Sequence, residues 1–114
     1  MRNLEQIRAA NAFKAAPGIG KGKKDGKGVA KKVPTYVRNN GILGAAAFAL
    51  ETKGGYEDVL QAIIEHLRHP EIALTAASDL ESFIAQVSEV ESVALRMITD
   101  EAMAYLNYLR RFAD

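Results

Sequence analysis

The segment PGIGKGKKDGKGVAKK, residues 17–32, holds the residue types that could bind phosphate groups. It contains five of the chain's nine glycines and six of its fifteen Lys and Arg residues. A glycine-rich loop can point several backbone amides at one phosphate, and a lysine beside it can neutralise the charge. Three uses are therefore open: the nucleotide loop of an enzyme, a contact with a nucleic-acid backbone, or a flexible solvated connection.

The spacing of these glycines does not fit a nucleotide loop. A P-loop needs G-x-x-x-x-G-K-[ST] between a strand and a helix, because its amides, lysine and hydroxyl each make a separate phosphate or Mg²⁺ contact. Here Gly22 and Gly26 are one residue too close, and Gly28 follows Lys27 where Ser or Thr is required. The dinucleotide pattern G-x-G-x-x-G also fails, since its last glycine is never in place. The sequence predicts no nucleotide cofactor.

The histidines and serines do not form a recognisable catalytic or metal pattern. A zinc-binding H-E-x-x-H motif places its ligands four residues apart with the glutamate between them, whereas His66 and His69 are three apart and Glu65 precedes both. His69 is better interpreted as serving the carbonyls at a helix C-terminus. Ser78 and Ser88 are interpreted as helix caps, and the chain has no cysteine. We therefore expect no catalytic residue, no metal and no cofactor, and a protein that is not an enzyme.

The distribution of charge is more informative than the net charge of +1. Residues 1–40 carry ten Lys and Arg against two acidic residues, and residues 41–114 carry five against twelve. Such asymmetry suggests a basic face for an anionic partner, although charge can also segregate by chance. Lysines without interleaved aromatic residues suit phosphate contacts better than base stacking. The candidate phosphate-binding residues are Lys14, Lys21, Lys23, Lys24, Lys27, Lys31, Lys32 and Arg38.

Helical patterns run along the chain, and no stretch shows the sustained two-residue alternation of a strand. The sequence predicts an all-α protein, a compact bundle of five to seven helices without a sheet, in a single domain over residues 1–114. Residues 18–28 are predicted to be a flexible basic loop after the first helix. The predicted helices cover residues 2–16, 28–40, 42–53 and 56–69, followed by a short helix from Ser78 and a long last helix.

Several boundaries depend on single residues. Pro34 predicts a kink or a fresh helix start, and Gly54-Gly55 is expected to end the helix over 42–53. Capping-box spacing occurs at Ser78–Glu81 and at Ser88–Glu91, and the second box either starts the last helix or continues the previous one. Apolar spacing predicts that Phe13 faces inward from the first helix, and that Val93 or Ala94, with Met97, does so from the last.

Neither the N-terminal residues nor the longest apolar run suggests export or membrane insertion. The N-terminal residues MRNLEQIRAAN contain charges and no apolar core of signal-peptide length. The longest low-polarity run, residues 41–50, is about half of what a membrane-spanning helix needs. We expect a soluble, cytoplasmic protein without a membrane partner.

Two blocks of sequence resemble a known family. The first is Lys31-Lys32-Val33-Pro34, followed by the turn Asn40-Gly41-Ile42 and an alanine-rich helix around Phe48. The second is a terminal helix of the form T-x-E-A-x-x-Y-L-x-x-L-x-R-F-A, matched by Thr99, Glu101, Ala102, Tyr105, Leu106, Leu109, Arg111, Phe112 and Ala113. Together they resemble the small, all-helical subunit of the Cmr-type (type III-B) CRISPR effector complex. The chain departs from that pattern at Ile42, where leucine is usual, and at Tyr108, where tryptophan is frequent.

The resemblance implies a non-catalytic role in antiviral defence. Copies of such a subunit stack with one another and with larger backbone subunits along the guide–target RNA duplex, and a different subunit cleaves the target. The implied partners are the other Cmr subunits, copies of the chain itself, and guide and target RNA contacted through their backbones, with no small-molecule substrate. The eight basic candidates above would then be the RNA-binding residues. The alternative is an unrelated helical adaptor that binds only protein.

Overall fold

Five α-helices and no strand make up the regular structure of residues 2–22 and 28–113, which are the residues described by this computed structural model. A single 3-10 turn, Ala16–Gly18, follows the first helix. The all-α prediction is confirmed, and the number of helices lies within the predicted range. The helices are Leu4–Ala15 (α1), Val29–Thr52 (α2), Gly54–Arg68 (α3), Leu80–Val87 (α4) and Ser92–Phe112 (α5).

The start of α1 is fixed by a complete capping box. The Asn3 side chain accepts a hydrogen bond from the Gln6 amide, and the Gln6 side chain accepts one from the Asn3 amide. After α1, the chain turns inward: Ile19 is buried, and the Gly20 N–H donates to Asp58 Oδ2 over 2.9 Å. The first residues of the segment 18–28 are thus packed on the domain. Residues 23–27 lie outside the described residues, so their flexibility stays a prediction.

Helix α2 contains Pro34 and is interrupted once, and the interruption lies at Gly41 and not at the proline. The only non-helical dihedral angles within α2 are at Gly41, with φ 79° and ψ 165°. Helical segments therefore lie on both sides of Gly41, as predicted for 28–40 and 42–53. No helix starts at Pro34, where the dihedral angles stay helical. A positive φ is accessible to glycine without steric cost, which explains why the break lies at Gly41.

Two predicted boundaries around α3 and α4 are wrong by one or two residues. Gly54 and Gly55 do not end a helix; they form the first turn of α3, and only Lys53, with φ 61°, separates α3 from α2. The capping box of α4 is made by Asp79 and Ser82, not by Ser78 and Glu81. Asp79 is the N-cap of α4: its carboxylate accepts a hydrogen bond from the Ser82 amide over 2.8 Å, so the capping box lies one residue later than predicted.

The last helix begins later than predicted. Ser88 neither starts α5 nor joins it to α4; it is the C-cap of α4, and its hydroxyl donates to the Ala85 carbonyl. Glu91 is extended, with φ −71° and ψ 161°, and α5 begins at Ser92. A serine hydroxyl can bond backwards to a carbonyl as well as forwards to an amide, so capping-box spacing alone does not fix its direction.

A single core joins all five helices, with α5 running through it. Tyr105, Leu106 and Leu109 of α5 are almost completely buried, as are Phe83 of α4 and Ile63 of α3. Helix α5 contacts α1, α2 and α3, and α2 contacts both α3 and α4. Burying these side chains removes apolar surface from water, which is the main favourable term in folding.

Phe13 and Met97, both predicted to face inward, lie on the surface instead, and so does Val93, one of two alternatives for a further inward position; the other alternative, Ala94, is partly buried. Phe13 is 70% exposed, Val93 is 71% exposed and Met97 is 53% exposed. Each belongs to α1 or α5, and the buried faces of these helices are formed by other residues of the same helices. Among the described residues, no helix is long and apolar enough to cross a membrane.

Candidate nucleic-acid interface

A basic groove lies between α2 and α5. Lys31, Thr35 and Arg38 line it from α2, while Asn107 and Arg110 line it from α5. The apolar side chains of Pro34 and Met103 complete the lining, and the enclosed volume is about 290 Å³. We refer to these seven residues as the basic groove.

The groove follows from helical spacing in the two segments. Lys31, Thr35 and Arg38 are separated by four and three residues, which puts them on one face of α2. Val33 and Val37, on the opposite side, are buried in the core and fix the orientation of that face. Helix α5 packs against α2, so its polar positions at the contact edge complete the second wall.

Among the described residues, the lining of the basic groove carries three cationic side chains and no acidic one. The Arg110 guanidinium donates to Asn107 Oδ1 over 3.4 Å, which directs it along the helix surface. Lysine and arginine neutralise phosphate oxygens, and Thr and Asn side chains can hydrogen-bond to phosphate or sugar. The arrangement suits an anionic backbone passing between the two helices.

The predicted phosphate-binding residues divide into three groups in the structure. Lys31 and Arg38 lie together in the basic groove, and Lys32 is exposed next to Lys31 on α2. Lys21 is exposed after the packed turn that follows α1, whereas Lys14 lies at the end of α1 and lines a different cavity. The remaining three candidates lie outside the described residues: Lys23, Lys24 and Lys27.

Arg110 was missed as a candidate because the sequence offers a simpler interpretation of it. A cation in the last turn of a helix is favoured by the helix dipole, and this alone explains Arg110 and Arg111. Only the packing of α5 on α2 brings Arg110 beside Arg38. The three-residue spacing of Asn107 and Arg110 gives no local signal of this neighbour.

A second polar cluster, which sequence reasoning also missed, is buried between α1, α3 and α5. Arg8 forms two hydrogen bonds of 2.8 Å with the Glu101 carboxylate. The same carboxylate bonds to His66 Nε2 over 2.9 Å, and Asn11 Nδ2 lies 3.0 Å from His66 Nδ1. The imidazole stacks on Tyr105, with ring centroids 4.3 Å apart. We call Arg8, Asn11, His66 and Glu101 the buried polar cluster.

Hydrogen bonding in the buried polar cluster selects one form of His66. Asn11 Nδ2 can only donate, so Nδ1 must accept, and the ring proton then lies on Nε2, facing Glu101. Burial lowers the pKa of His66 against the opposing effect of Glu101, which favours this neutral form. The Arg8 and His66 hydrogen bonds lower the pKa of Glu101 despite its burial. With both ring nitrogens engaged, His66 acts as a structural residue.

Within residues 2–22 and 28–113, no group of three or more His, Asp or Glu side chains could hold a metal ion. His69 is the C-cap of α3, at the helix end where it was predicted, but its Nδ1 accepts from the Glu71 N–H over 3.1 Å and so serves an amide beyond the helix, not a helix carbonyl.

One comparison with known proteins gives a match. The model of the CRISPR-associated protein family Cas_Cmr5 matches residues 4–114, which is almost the whole chain. No curated protein and no solved structure is similar enough to be matched.

Proposed function

Because the chain belongs to the CRISPR-associated Cmr5 family, the small-subunit family of type III-B complexes, we propose that it is a non-catalytic subunit that holds RNA in such a complex. Its role is to bind the backbones of guide and target RNA through the basic groove while contacting neighbouring subunits through other surfaces. Target cleavage is left to another subunit.

The observation that carries this proposal is the basic groove itself. Lys31 and Arg38, both predicted from the sequence, come together with Arg110 in one groove to which the described part of the chain contributes no acidic residue. Contacts of this kind hold a sugar-phosphate backbone without reading its sequence, as a subunit serving many different guides requires. Lys32, exposed next to Lys31 on α2, extends the basic surface beside the groove, and Lys21 is a further exposed cation in the turn after α1.

Exposed apolar side chains support contact with other protein subunits. The large hydrophobic residues that remain exposed in the described chain all belong to α1 and α5: Leu4, Phe13, Val93, Met97 and Phe112. Apolar side chains concentrated on two adjoining helices are typical of protein interfaces. We propose that this surface contacts a further copy of the chain or a backbone subunit.

The RNA-binding proposal is tested by charge reversal in the groove. The triple variant Lys31→Glu, Arg38→Glu and Arg110→Glu should abolish measurable binding of single-stranded RNA at physiological salt. Single reversals should each weaken binding and reduce the slope of log K against log salt by about 0.7 for each phosphate that the protein no longer neutralises. Fluorescence anisotropy with two RNAs of unrelated sequence measures both effects, and the affinity should fall equally for the two RNAs.

A matched control for each single groove reversal makes the same change in charge away from the groove. Lys53→Glu and Arg68→Glu alter exposed cations at the ends of α2 and α3, neither of which lines the groove. These variants should retain most of the RNA affinity. Equal losses of affinity in the control and groove variants would show that only net charge matters, and unchanged binding in the triple variant would refute the proposed interface.

A further inference from the structure

A separate cavity of about 270 Å³ opens between α1, α3 and α5. Its lining includes Asn11 and Lys14 of α1, Glu65 and His66 of α3, His69 at the end of α3, and Tyr105 of α5. None of these residues lines the basic groove. The volume lies just below the range of ordinary small-molecule pockets, so a ligand that fills it must be small.

Tyr105 supplies an unused hydrogen-bond donor to this cavity. The residue is 1% exposed, yet its hydroxyl has no hydrogen-bond partner among the described residues. Every side-chain oxygen that is inaccessible to solvent in the described part of the chain has a hydrogen-bond partner. A hydroxyl without a partner must therefore be accessible to solvent. The oxygen therefore meets the space that Tyr105 lines. Burial, followed by the nearby Glu65 charge, raises the pKa of this phenol, so it remains a donor.

Two further donors line the same cavity. Lys14 contributes its ammonium group from the last turn of α1. His69 Nδ1 accepts from the Glu71 amide, which leaves Nε2 as the protonated nitrogen of the neutral ring. His66 adds no donor, since both of its nitrogens are engaged within the buried polar cluster.

Glu65 is the one acidic residue among the described residues of the lining, and it decides which anion fits. A carboxylate repels a bare oxyanion but accepts a hydrogen bond from an anion that keeps a proton. Hydrogen phosphate has such a P–OH group near neutral pH, whereas sulfate and the phosphodiesters of a nucleic-acid backbone have none. Three donors and one acceptor thus complement a protonated phosphoryl group.

We propose that this cavity binds inorganic phosphate, with Lys14, His69 and Tyr105 as donors and Glu65 accepting from the P–OH. This site is distinct from the basic groove, and its ligand is not the backbone of RNA. The proposal does not rest on the RNA-binding role of the protein.

Titration of the full-length chain with inorganic phosphate tests the site. The chain has two histidines, so proton NMR gives two imidazole signals, and the signal of His69 should shift on binding. Sulfate at the same ionic strength should bind at least about tenfold more weakly, because it cannot donate to Glu65.

The variants separate a donor role from a structural one. Tyr105→Phe should leave the melting temperature without phosphate unchanged, since the hydroxyl has no partner among residues 2–22 and 28–113, and should weaken phosphate binding about tenfold. Lys14→Gln should weaken it at least as much, while Lys53→Gln, which changes a matched exposed lysine outside the cavity, should not. Glu65→Gln should reduce the preference for phosphate over sulfate.

Two results would overturn the proposal. The first is a shift of the His69 signal that is the same for phosphate, sulfate and chloride, which would indicate a general salt effect in a water-filled cavity. The second is unchanged phosphate affinity in Tyr105→Phe, which would remove the buried hydroxyl from the site. The triple groove variant should still bind phosphate, so failure of the RNA interface and failure of this site are distinguishable.

Discussion

Removing the Glu101 carboxylate should destabilise the fold more than any other change of one charged residue. In Glu101→Ala, Arg8 loses two hydrogen bonds of 2.8 Å, and His66 loses the acceptor of its Nε2–H. The His66 side chain is fully buried, so no water replaces that acceptor, whereas Arg8 is 24% exposed and keeps partial access to solvent. The expected loss in free energy of unfolding is therefore about 3 kcal/mol, the lower end of the range for removing one partner of a buried ion pair.

The expected destabilisation can be measured by urea unfolding followed by circular dichroism. For a chain of this length, about 3 kcal/mol corresponds to a fall of roughly 12 °C in melting temperature. The m-value should not change, because the surface exposed on unfolding is nearly the same. Glu101→Gln, which restores one acceptor and the shape of the side chain, should recover part of the stability.

Controls for this prediction use other charges of the same two helices. Glu5→Ala removes the carboxylate that accepts from the exposed Tyr108 hydroxyl, and it should cost much less. The double variant Arg8→Met with Glu101→Leu replaces the ion pair by apolar side chains and should be more stable than Glu101→Ala alone. An Ala variant at Glu101 that is no less stable than Glu5→Ala would refute the reasoning.

Three other perturbations have defined outcomes. The pKa of His66 in the folded state lies below its ordinary value of 6.5, so the stability that the neutral ring contributes is complete above pH 6.5 and is lost as the pH falls further. The free energy of unfolding of the wild type should show this loss, and that of His66→Gln should not. Phe83→Ala should cost about 3–5 kcal/mol in the same urea assay, since Phe83 is completely buried, whereas Phe13→Ala should leave the free energy of unfolding nearly unchanged because Phe13 is 70% exposed. Gly41→Ala should cost about 1–3 kcal/mol through backbone strain alone, because φ is 79° and an added Cβ meets no atom within 4 Å. Gly28→Ala, where φ is −61° and the space around a Cβ is equally open, should cost nothing in the same assay, and equal costs at the two glycines would contradict the strain argument.

Much of the helical architecture could be predicted because it depends on local spacing. Apolar residues at three- and four-residue steps identified α1, α3 and α5, and Gly41 interrupts α2 where the turn was expected. The boundaries were less certain, since neighbouring residues compete for the same cap. Asp79 took the cap predicted for Ser78, and the hydroxyl of Ser88 turned back to the end of α4.

Exposure and partnership could not be predicted from spacing alone. Phe13 and Met97 have the spacing of core residues, but α1 and α5 direct other side chains into the core. The partners within the buried polar cluster are distant in sequence: Arg8 and Glu101 are 93 residues apart, and His66 and Glu101 are 35 apart. No local pattern marks such pairs, because they exist only once three helices pack together.

The sequence by itself determined the helical class, the basic character of residues 1–40, and the resemblance that placed the chain in its family, which the family match over residues 4–114 confirmed. These properties depend on composition and on periodicity within single helices. The tertiary structure decided which cations act together: α2 and α5 join Arg110 to Lys31 and Arg38, while Lys14 faces a different cavity beside Tyr105. The physical reason is that electrostatic and hydrogen-bond energies depend on distance in space, and helix packing sets that distance between residues far apart in the chain.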